Sequence, residues 1–288
     1  MTAPVIGVIG GTGLYQMDDL LDVERLEVAT PFGAPSDVII RGTLGDRTVC
    51  FLPRHGIGHR YLPSEVPYRA NIFALKKLGV QQILSLSAVG SMRAEIEPGH
   101  IVVIDQFLDR TRGRPSTFFG DGIVGHVQFA DPVCPSLRQV VIDAAQQAGA
   151  TVHREGTYVC MEGPAFSTRA ESRMYRSFGV HVIGMTNLTE AKLAREAELC
   201  YVTIALATDY DCWHESEEDV SVEAIVEILA RNVAMSQQIV REAVPRIPAS
   251  RSCACPDAAR HAIMTSRDRI PTERREALRP LFGKYLDR

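Results

Sequence analysis

Three short segments that could bind an anion each follow a stretch predicted to be a strand. Gly10-Gly11-Thr12-Gly13 ends the apolar run 5–9, Arg54-His55-Gly56 follows a second strand, and Ser87-Ala88-Val89-Gly90-Ser91 ends a third. Backbone N–H groups in a glycine-rich turn approach an anion closely, and hydroxyl, guanidinium and imidazole groups add further donors. Because ligands of open α/β folds bind outside the carboxyl ends of the strands, we expect these segments to form one oxyanion site.

Each of these segments also has a plain structural explanation. The glycine cluster is no dinucleotide-binding fingerprint, since Gln16 stands where the third glycine belongs, and it lacks the Gly-Lys-Ser/Thr of a P-loop. A simple tight turn accounts for the cluster as well as a phosphate site does, and a surface loop accounts equally well for Arg54 and His55. The recurrence of donors at three strand ends is what favours the oxyanion site.

The segment 161–171 carries groups suited to a flat, hydrogen-bonding ligand. Phe166 could stack on such a ligand, and Glu162 could accept a hydrogen bond from a sugar hydroxyl or a ring N–H. Glu162 could equally be solvated, and Ser167 or Thr168 could serve only as the N-cap of a following helix.

The segment 208–213 holds Asp209 and Asp211 two residues apart at the end of an apolar strand. Carboxylates that share a pocket have pKa values that are raised and split apart, as a general acid requires. A loop with exposed acids is the alternative explanation.

The elements that must position these side chains alternate between strands and helices. Residues 38–43 and 47–52 predict a β-hairpin, and the long apolar run 199–208 predicts a central strand buried on both faces. Helices are predicted over 71–78, 135–148 and 169–178, from Val222 onward, and as a short terminal helix over 272–285. This alternation favours an α/β domain with a mostly parallel or mixed sheet. We predict a linker over 245–256, which divides the chain into a domain at 1–245 and a C-terminal extension at 246–288.

Composition excludes several classes of protein. Of the 288 residues, 45% are hydrophobic and 23% are charged, as is ordinary for a folded globular chain. No apolar run approaches the roughly 20 residues that span a bilayer. The first residues lack a secretory signal pattern, and seven cysteines are too few for a disulfide scaffold. We therefore expect a cytoplasmic protein that does not associate with membranes.

Charge is divided unevenly along the chain. Residues 1–245 carry 21 basic against 30 acidic side chains, so a nucleic-acid partner is not expected. Residues 246–288 carry ten basic and five acidic side chains. This basic extension could dock on acidic surface of its own chain or of a neighbouring subunit, or it could be a solvated segment.

Taken together and in order, the motifs resemble those of the 5′-methylthioadenosine phosphorylases, within the trimeric purine nucleoside phosphorylase family. The resemblance extends from about residue 5 to about residue 245. It is carried by GGTGL at 10–14, TPFGAPSD at 30–37, RHG at 54–56, IDQFLDRT at 104–111, EGPAFS at 162–167, MT at 185–186 and ATDYDCW at 207–213. It implies a single α/β domain with a central mixed β-sheet flanked by helices, plus a C-terminal helical tail. It also implies a homotrimer, or a dimer of trimers, with active sites near subunit interfaces.

The resemblance implies a role for each matching residue. Phosphate would be bound by Thr12, Arg54, His55, Ser87, Ala88 and Thr186; the ribosyl group would lie against Met185, with His126 near it; and Phe166, Ser167, Asp209 and Asp211 would face the purine. The implied reaction is phosphorolysis, in which phosphate attacks C1′ as the N-glycosidic bond breaks through an oxocarbenium-like state. Asp209 would supply a proton or a strong hydrogen bond to N7 of the leaving purine, which requires a raised pKa. No metal or organic cofactor is implied, and inorganic phosphate is a co-substrate.

Two positions favour 5′-methylthioadenosine over inosine or guanosine as the substrate. Carboxylates at Asp209 and Asp211 suit the N6 donors of a 6-aminopurine, where the related 6-oxopurine enzymes place an asparagine. Val222 stands where those enzymes use a histidine to hold the 5′-hydroxyl, and an apolar side chain suits a methylthio group. The alternatives are a 6-oxopurine nucleoside or 5′-methylthioinosine phosphorylase and, in a different class, a non-catalytic purine-nucleoside sensor.

The chain departs from the family pattern at a few places. Ser87 replaces a common threonine. The segment 187–190 lacks the proline common before Glu190, so the conformation of that turn is not predicted. Some thermostable relatives have a C-x-C that forms a disulfide, but in a cytoplasmic protein Cys253 and Cys255 are expected to be free thiols. Together with His261 they offer only three metal ligands at a spacing that fits no zinc pattern, so no metal site is predicted. A redox-active pair is the remaining hypothesis for them, and the other five cysteines are expected in the core.

Overall fold

A mixed sheet organises the fold. The structure is a computed structural model that describes residues 4–214 and 222–287, without the side chains of Thr12, Tyr15 and residues 222–230. Within these residues the sheet has eleven strands: β1 (Val5–Gly10), β2 (Leu20–Leu26), β3 (Ile39–Leu44), β4 (Arg47–Pro53), β5 (Val80–Ser91), β6 (Ile101–Val103), β7 (Gln106–Arg110), β8 (Val152–His153), β9 (Thr157–Met161), β10 (Val182–Gly184) and β11 (Cys200–Asp209). Eight of them lie side by side in the order β2-β3-β4-β1-β5-β10-β9-β7. The other three branch from β5, which pairs with β11; β11 pairs with β6, and β6 pairs with β8.

Parallel pairing brings the functional strand ends to one edge. β1 runs parallel to both β4 and β5, and β11 runs parallel to β5 on its other side. β2, β3 and β4 form an antiparallel meander, which includes the predicted hairpin. The carboxyl ends of β1, β4, β5 and β11 therefore point the same way, and the predicted mixed sheet is confirmed.

Helices cover both faces of this sheet. In the described part of the chain they are α1 (Tyr68–Lys77), α2 (Pro135–Gln147), α3 (Arg169–Ser177), α4 (Asn187–Glu196), α5 (Val222–Arg246), α6 (Thr272–Ala277) and α7 (Arg279–Leu286). Successive strand residues face opposite sides. Leu84 and Val202 pack in a cluster with α2 and α5, whereas their neighbours Ile83 and Tyr201 pack in a second cluster with α1 and α4. β11 is thus buried on both faces, as its unbroken apolar run predicts.

The C-terminal segment packs on its own chain. Leu278, Leu281 and Phe282 are buried in the same cluster as α1, and the Phe282 ring stacks on Phe119 with centroids 5.0 Å apart. The basic charge of this segment is also paired with an acidic side chain, since Lys284 Nζ lies 2.6 Å from Glu198 Oε2. Of the three predicted alternatives, docking on acidic surface of its own body is confirmed for this contact.

Two predicted boundaries in this segment are wrong. The single terminal helix over 272–285 is two helices, because Pro280 occupies the first turn of α7 and cannot continue the ladder of α6. The linker predicted to begin at Pro245 begins later, since α5 includes Pro245 in its last turn. Among the described residues, no helix is long and apolar enough to cross a membrane.

Candidate active site

The three predicted anion-binding segments converge at the sheet edge. The backbone N–H of Arg54 donates to Gly10 O at 2.9 Å, which joins the ends of β4 and β1. Arg54 Nη1 donates to Leu86 O at 2.8 Å, which joins the same residue to β5. A Cβ atom on Gly10 would lie only 2.3 Å from Leu14 Cδ1, so a larger residue there would collide with the Leu14 side chain. The donor groups that recur along the sequence are therefore neighbours in space.

Arg54 is not a free cation at this edge. It is 3% exposed, and its Nε and Nη2 atoms lie 2.5 and 3.2 Å from the two carboxylate oxygens of Glu190. Its Nη2 also donates to Ser85 Oγ at 2.7 Å. Burial disfavours the charge on Arg54, but the Glu190 carboxylate outweighs it and raises the pKa of the guanidinium above its ordinary value. Among the described residues, four of its five N–H groups are engaged, which leaves one on Nη1 for a ligand.

Glu190 belongs to a buried network that the sequence does not reveal. Its Oε2 accepts from Ser85 Oγ at 2.6 Å and from Tyr201 Oη at 2.9 Å. Asn187 Nδ2 in turn donates to Ser85 Oγ at 2.9 Å. α4 supplies both Asn187 and Glu190, and the buried Thr186 precedes its first turn. The segment 187–190, which differs from the family pattern, thus forms the start of α4, and its Glu190 side chain holds Arg54 in place.

His55 is neutral near pH 7. Its Nδ1 lies 2.8 Å from Tyr61 O, and because a carbonyl oxygen can only accept, Nδ1 carries the hydrogen. Burial, followed by the nearby Arg54 charge, lowers the pKa of His55 to about 4. The imidazole also stacks on His59, with ring centroids 4.3 Å apart. Nε2 therefore has a lone pair that can accept a hydrogen bond.

Tyr158 connects two further predicted phosphate ligands. Its buried hydroxyl lies near the Ser87 side chain and accepts from the Thr186 N–H at 3.5 Å. Ser87 also donates to the carbonyl of Ala88, whose own side chain is exposed at the strand edge. Ser87, Ala88 and Thr186 thus lie on adjoining parts of the same edge. The Thr12 side chain, also predicted to bind phosphate, lies outside the described part of the structure.

The two predicted carboxylates lie together over a glycine. The register of β11 on β5 shifts between Ala207 and Asp209, which leaves one extra residue in β11 and brings Asp209 opposite Gly90. A Cβ atom on Gly90 would lie 3.1 Å from Asp209 Oδ1 and 3.5 Å from Asp211 Cβ, so both aspartates lie close to this glycine. Asp209 is exposed, Asp211 is half-buried, and Asp209 Oδ2 accepts from Thr208 Oγ1 at 2.7 Å. The two residues are therefore neighbours, and solvent reaches both.

The loop before α3 borders these carboxylates. Cys212 Sγ donates to Ser167 O at 3.3 Å, and Arg169 Nη1 donates to Cys212 O at 3.0 Å. Phe166 in the same loop is 84% exposed, so its ring presents a face to solvent rather than to the core. Thr168 is the N-cap of α3 in a capping box with Glu171, which confirms the cap interpretation for one of the two candidates.

Arg114 holds this loop against Met185, and the sequence gives no signal for it. The buried guanidinium donates to the carbonyls of Met185 and Glu162, both at 2.5 Å, and pairs with Glu162 Oε1 at 3.1 Å. Glu162 Oε2 accepts from the Arg112 N–H at 2.5 Å. Each oxygen of the Glu162 carboxylate therefore already accepts from a protein donor. Gly163 contacts Met185 closely, since a Cβ atom there would lie 2.5 Å from Met185 Sδ.

Two residues, His126 and Val222, are predicted on the sugar side. His126 is exposed, and its backbone N–H donates to Ala262 O at 2.9 Å, which attaches it to the C-terminal segment. Among the described residues, no hydrogen bond joins His126 to Met185. Val222 is the first residue of α5, and its side chain lies outside the described part of the structure.

Comparison with known proteins agrees with this fold. A family model described as "Phosphorylase superfamily" matches residues 5–245. The S-methyl-5′-thioadenosine phosphorylase of Geobacter sulfurreducens is 64% identical over 283 residues, which cover 98% of this chain and 99% of that protein. That of Thermosynechococcus vestitus is 56% identical, with 99% and 100% covered.

Solved structures give the same result. A methylthioadenosine phosphorylase from an antarctic soil metagenomic library superposes with a TM-score of 0.94 at 47% identity, with 98% of this chain and 99% of that chain covered. A mutant adenosine/methylthioadenosine phosphorylase from Schistosoma mansoni, solved in complex with methylthioadenosine, has a TM-score of 0.80 at 40% identity, with 86% and 93% covered. The chain belongs to the phosphorylase superfamily and, within it, to the family of the S-methyl-5′-thioadenosine phosphorylases. The resemblance predicted from the motifs is thereby confirmed.

Proposed function

We propose that this enzyme, a pentosyltransferase, catalyses the phosphorolysis of S-methyl-5′-thioadenosine to adenine and S-methyl-5-thio-α-D-ribose 1-phosphate. The observation that supports it best is the arrangement of oxyanion donors and paired carboxylates along β5. Ser87 adjoins Thr186, and three residues later Gly90 lies beside Asp209 and Asp211. Three residues of a strand extend about 10 Å. This length suits a nucleoside whose base lies at the carboxylates while phosphate lies beside its sugar at the other end.

Phosphate binds at the edge formed by Thr12, Arg54, His55, Ser87, Ala88 and Thr186. Arg54 and Glu190 are nearly neutral as a pair, so Arg54 contributes one directed N–H rather than a net positive charge. The remaining attraction comes from backbone N–H groups in the glycine turn and in the first turn of α4. The neutral His55 accepts from the hydroxyl of monohydrogen phosphate through Nε2, which selects the protonated oxygen.

The purine binds between Phe166, Ser167 and the two carboxylates. Phe166 stacks on the ring, which buries an aromatic face that is otherwise exposed. Asp209 provides the proton or strong hydrogen bond at N7, and the bound purine removes water from this carboxyl and so raises its pKa. Asp211 accepts from the N6 amino group. A 6-oxopurine would leave that acceptor facing another acceptor, at a cost of about 1–3 kcal/mol.

The sugar lies against Met185, and Val222 contacts the 5′-methylthio group in place of a hydrogen-bonding histidine. His126 closes the ribosyl side. Its exposure and its attachment to the C-terminal segment support a role at a site shared between subunits, in a homotrimer or a dimer of trimers. No metal or organic cofactor takes part in the reaction, and inorganic phosphate is the co-substrate. The products return adenine and a methylthio sugar to purine and methionine salvage, and we place this activity in the cytoplasm.

Substrate preference tests this function. Initial rates of purine release are measured at saturating phosphate for 5′-methylthioadenosine, 5′-methylthioinosine, adenosine and inosine. We expect the highest kcat/KM for 5′-methylthioadenosine. A higher value for either inosine-type nucleoside would replace this specificity with that of a 6-oxopurine phosphorylase. Nucleoside binding in calorimetry without turnover of any of the four would identify a purine-nucleoside sensor instead.

A further inference from the structure

Four cysteines from three distant parts of the chain meet at the end of the sheet opposite the candidate active site. Cys134, Cys200, Cys253 and Cys255 have all their sulfur atoms within 4.8 Å of one another. The sulfurs of Cys200 and Cys253 are 3.4 Å apart. Cys253 is half-buried and the other three are buried. Cys134 and Cys200, which the sequence assigns to the core, thus form one cluster with Cys253 and Cys255.

The spacing of these sulfur atoms suits one metal ion. Four thiolates at a zinc–sulfur distance of about 2.3 Å in a tetrahedron lie about 3.8 Å from one another. The distances in the cluster bracket that value, so small side-chain adjustments bring all four into coordination. An iron–sulfur cluster places several irons and sulfides between its cysteines and needs a wider set. Thiolate ligands in a closed tetrahedral set favour zinc over the hard cations magnesium and calcium.

The backbone around the cluster also suits a negatively charged thiolate site. Cys134 is the N-cap residue of α2, at the positive end of the helix dipole. N–H donors and the positive end of a helix stabilise thiolates. Cys200 opens β11, and Cys253 and Cys255 follow α5, so a bound ion would join the sheet, α2 and the C-terminal segment. We propose that Cys134, Cys200, Cys253 and Cys255 form a structural zinc site that fastens the C-terminal segment to the sheet.

A bound zinc ion here stabilises the fold and takes no part in the reaction. The cluster surrounds Cys200, and Asp209 lies at the other end of the same strand, nine residues on and about 30 Å away. The site has four protein ligands and therefore no open position for substrate or water. Removal of zinc is expected to lower the melting temperature while leaving kcat of the folded enzyme unchanged.

The test measures metal content and coordination in the full-length protein. The chain is produced with zinc in the medium, purified under reducing conditions, and analysed for metals by mass spectrometry. We expect one zinc ion per chain for the wild type and for the control Cys50→Ala, which removes a buried thiol outside the cluster. We expect none for the double variant Cys253→Ser/Cys255→Ser. Thiol titration of the native wild type should expose four additional reactive thiols after a strong chelator is added.

Cobalt substitution keeps the proposal testable if the double variant does not fold. The wild-type protein is stripped of metal and titrated with Co²⁺, and thiolate-to-cobalt charge-transfer bands with the visible bands of tetrahedral Co²⁺ should saturate at one equivalent. Zinc should then displace the cobalt and bleach these bands. Absence of both metal and bands in reduced, folded protein would overturn the proposal. Iron with inorganic sulfide, or two disulfide bonds among these four cysteines in protein purified without air, would equally overturn it.

Discussion

The two ends of β11 have opposite characters. At its start, Cys200 is buried among three other thiols, beneath a helix and the C-terminal segment. At its end, Asp209 is exposed and lies beside Asp211 and Gly90. One end is closed by packing, and the other is exposed to solvent. Stability and chemistry are therefore separated along a single strand, and substitutions at the two ends should affect different measurements.

The largest effect on turnover is expected at the exposed end. Asp209→Asn keeps the size of the side chain but removes the proton donor for the leaving purine, so kcat should fall about 10²- to 10⁴-fold. Because Asp209 is exposed, the melting temperature should stay close to that of the wild type. Steady-state kinetics and thermal unfolding measure the two effects. Asp46→Asn, in an exposed hairpin turn, is the matched control. Unchanged turnover in Asp209→Asn would refute the role of this carboxyl.

The next largest effect is expected between the two ends of β11, at the buried ion pair of Arg54 and Glu190. Glu190→Gln leaves the buried Arg54 charge without its partner, which should lower the free energy of unfolding by about 3–5 kcal/mol. Chemical denaturation checks this. The control Glu24→Gln removes a surface partner of Arg41, where both side chains are about half exposed, and should cost less than about 1 kcal/mol. Equal losses in the two variants would show that Arg54 does not depend on Glu190.

A third prediction concerns pH and Glu196, a buried acid at the end of α4, shortly before β11 begins. Burial, only partly opposed by hydrogen bonds from Thr117 and the Phe118 N–H, raises the pKa of Glu196 to about 7. The folded state therefore holds this proton more tightly than the unfolded state, where the carboxyl has its ordinary pKa near 4.5. The stabilisation that the protonated Glu196 gives the folded state is complete below pH 4.5 and is lost as the pH rises through 7. The free energy of unfolding falls by about 3 kcal/mol over this range.

Glu196→Gln isolates that contribution, because a glutamine cannot titrate. Relative to the wild type, the variant should gain about 3 kcal/mol in free energy of unfolding between pH 4.5 and pH 8. Denaturant titrations at several pH values measure this difference. Parallel pH profiles for the two proteins would contradict a raised pKa at Glu196.

The smallest effect distinguishes the two carboxylates at the exposed end. Asp211→Asn replaces an acceptor with a side chain that can also donate to O6, so the preference for 5′-methylthioadenosine over 5′-methylthioinosine should fall about 10- to 100-fold. The ratio of the two kcat/KM values is the quantity to measure. An unchanged ratio would mean that Asp211 does not contact the 6-substituent.

The sequence predicts what local patterns determine. The apolar run of β11 and the alternation around residues 38–52 are fixed by burial on one or two faces, and the structure agrees with both. Strand ends that carry Gly10, Arg54 and Ser87 are recognisable because turn residues follow apolar runs. Parallel pairing then brings them together without any further signal in the sequence.

What the sequence does not predict depends on long-range partners. Glu190 and Arg114 look like ordinary surface charges, and only the fold shows that both are buried and paired. α4 is missed because its sequence, with Asn187 and Thr189 near its start, lacks a clear apolar stripe, yet it is buried on nearly every side. The cysteine cluster is hidden for the same reason, since Cys134 and Cys200 join Cys253 and Cys255 only after the sheet forms.

Phosphate dependence tests the central claim most directly. Purified enzyme is incubated with 5′-methylthioadenosine at increasing phosphate concentrations, and adenine and the sugar product are quantified together by chromatography and mass spectrometry. The account predicts no adenine without phosphate, a rate that saturates with phosphate, and one phosphorylated methylthioribose for every adenine released. Adenine release without phosphate, with free methylthioribose as the partner product, would show hydrolysis and contradict an oxyanion site at the ends of β1, β4 and β5.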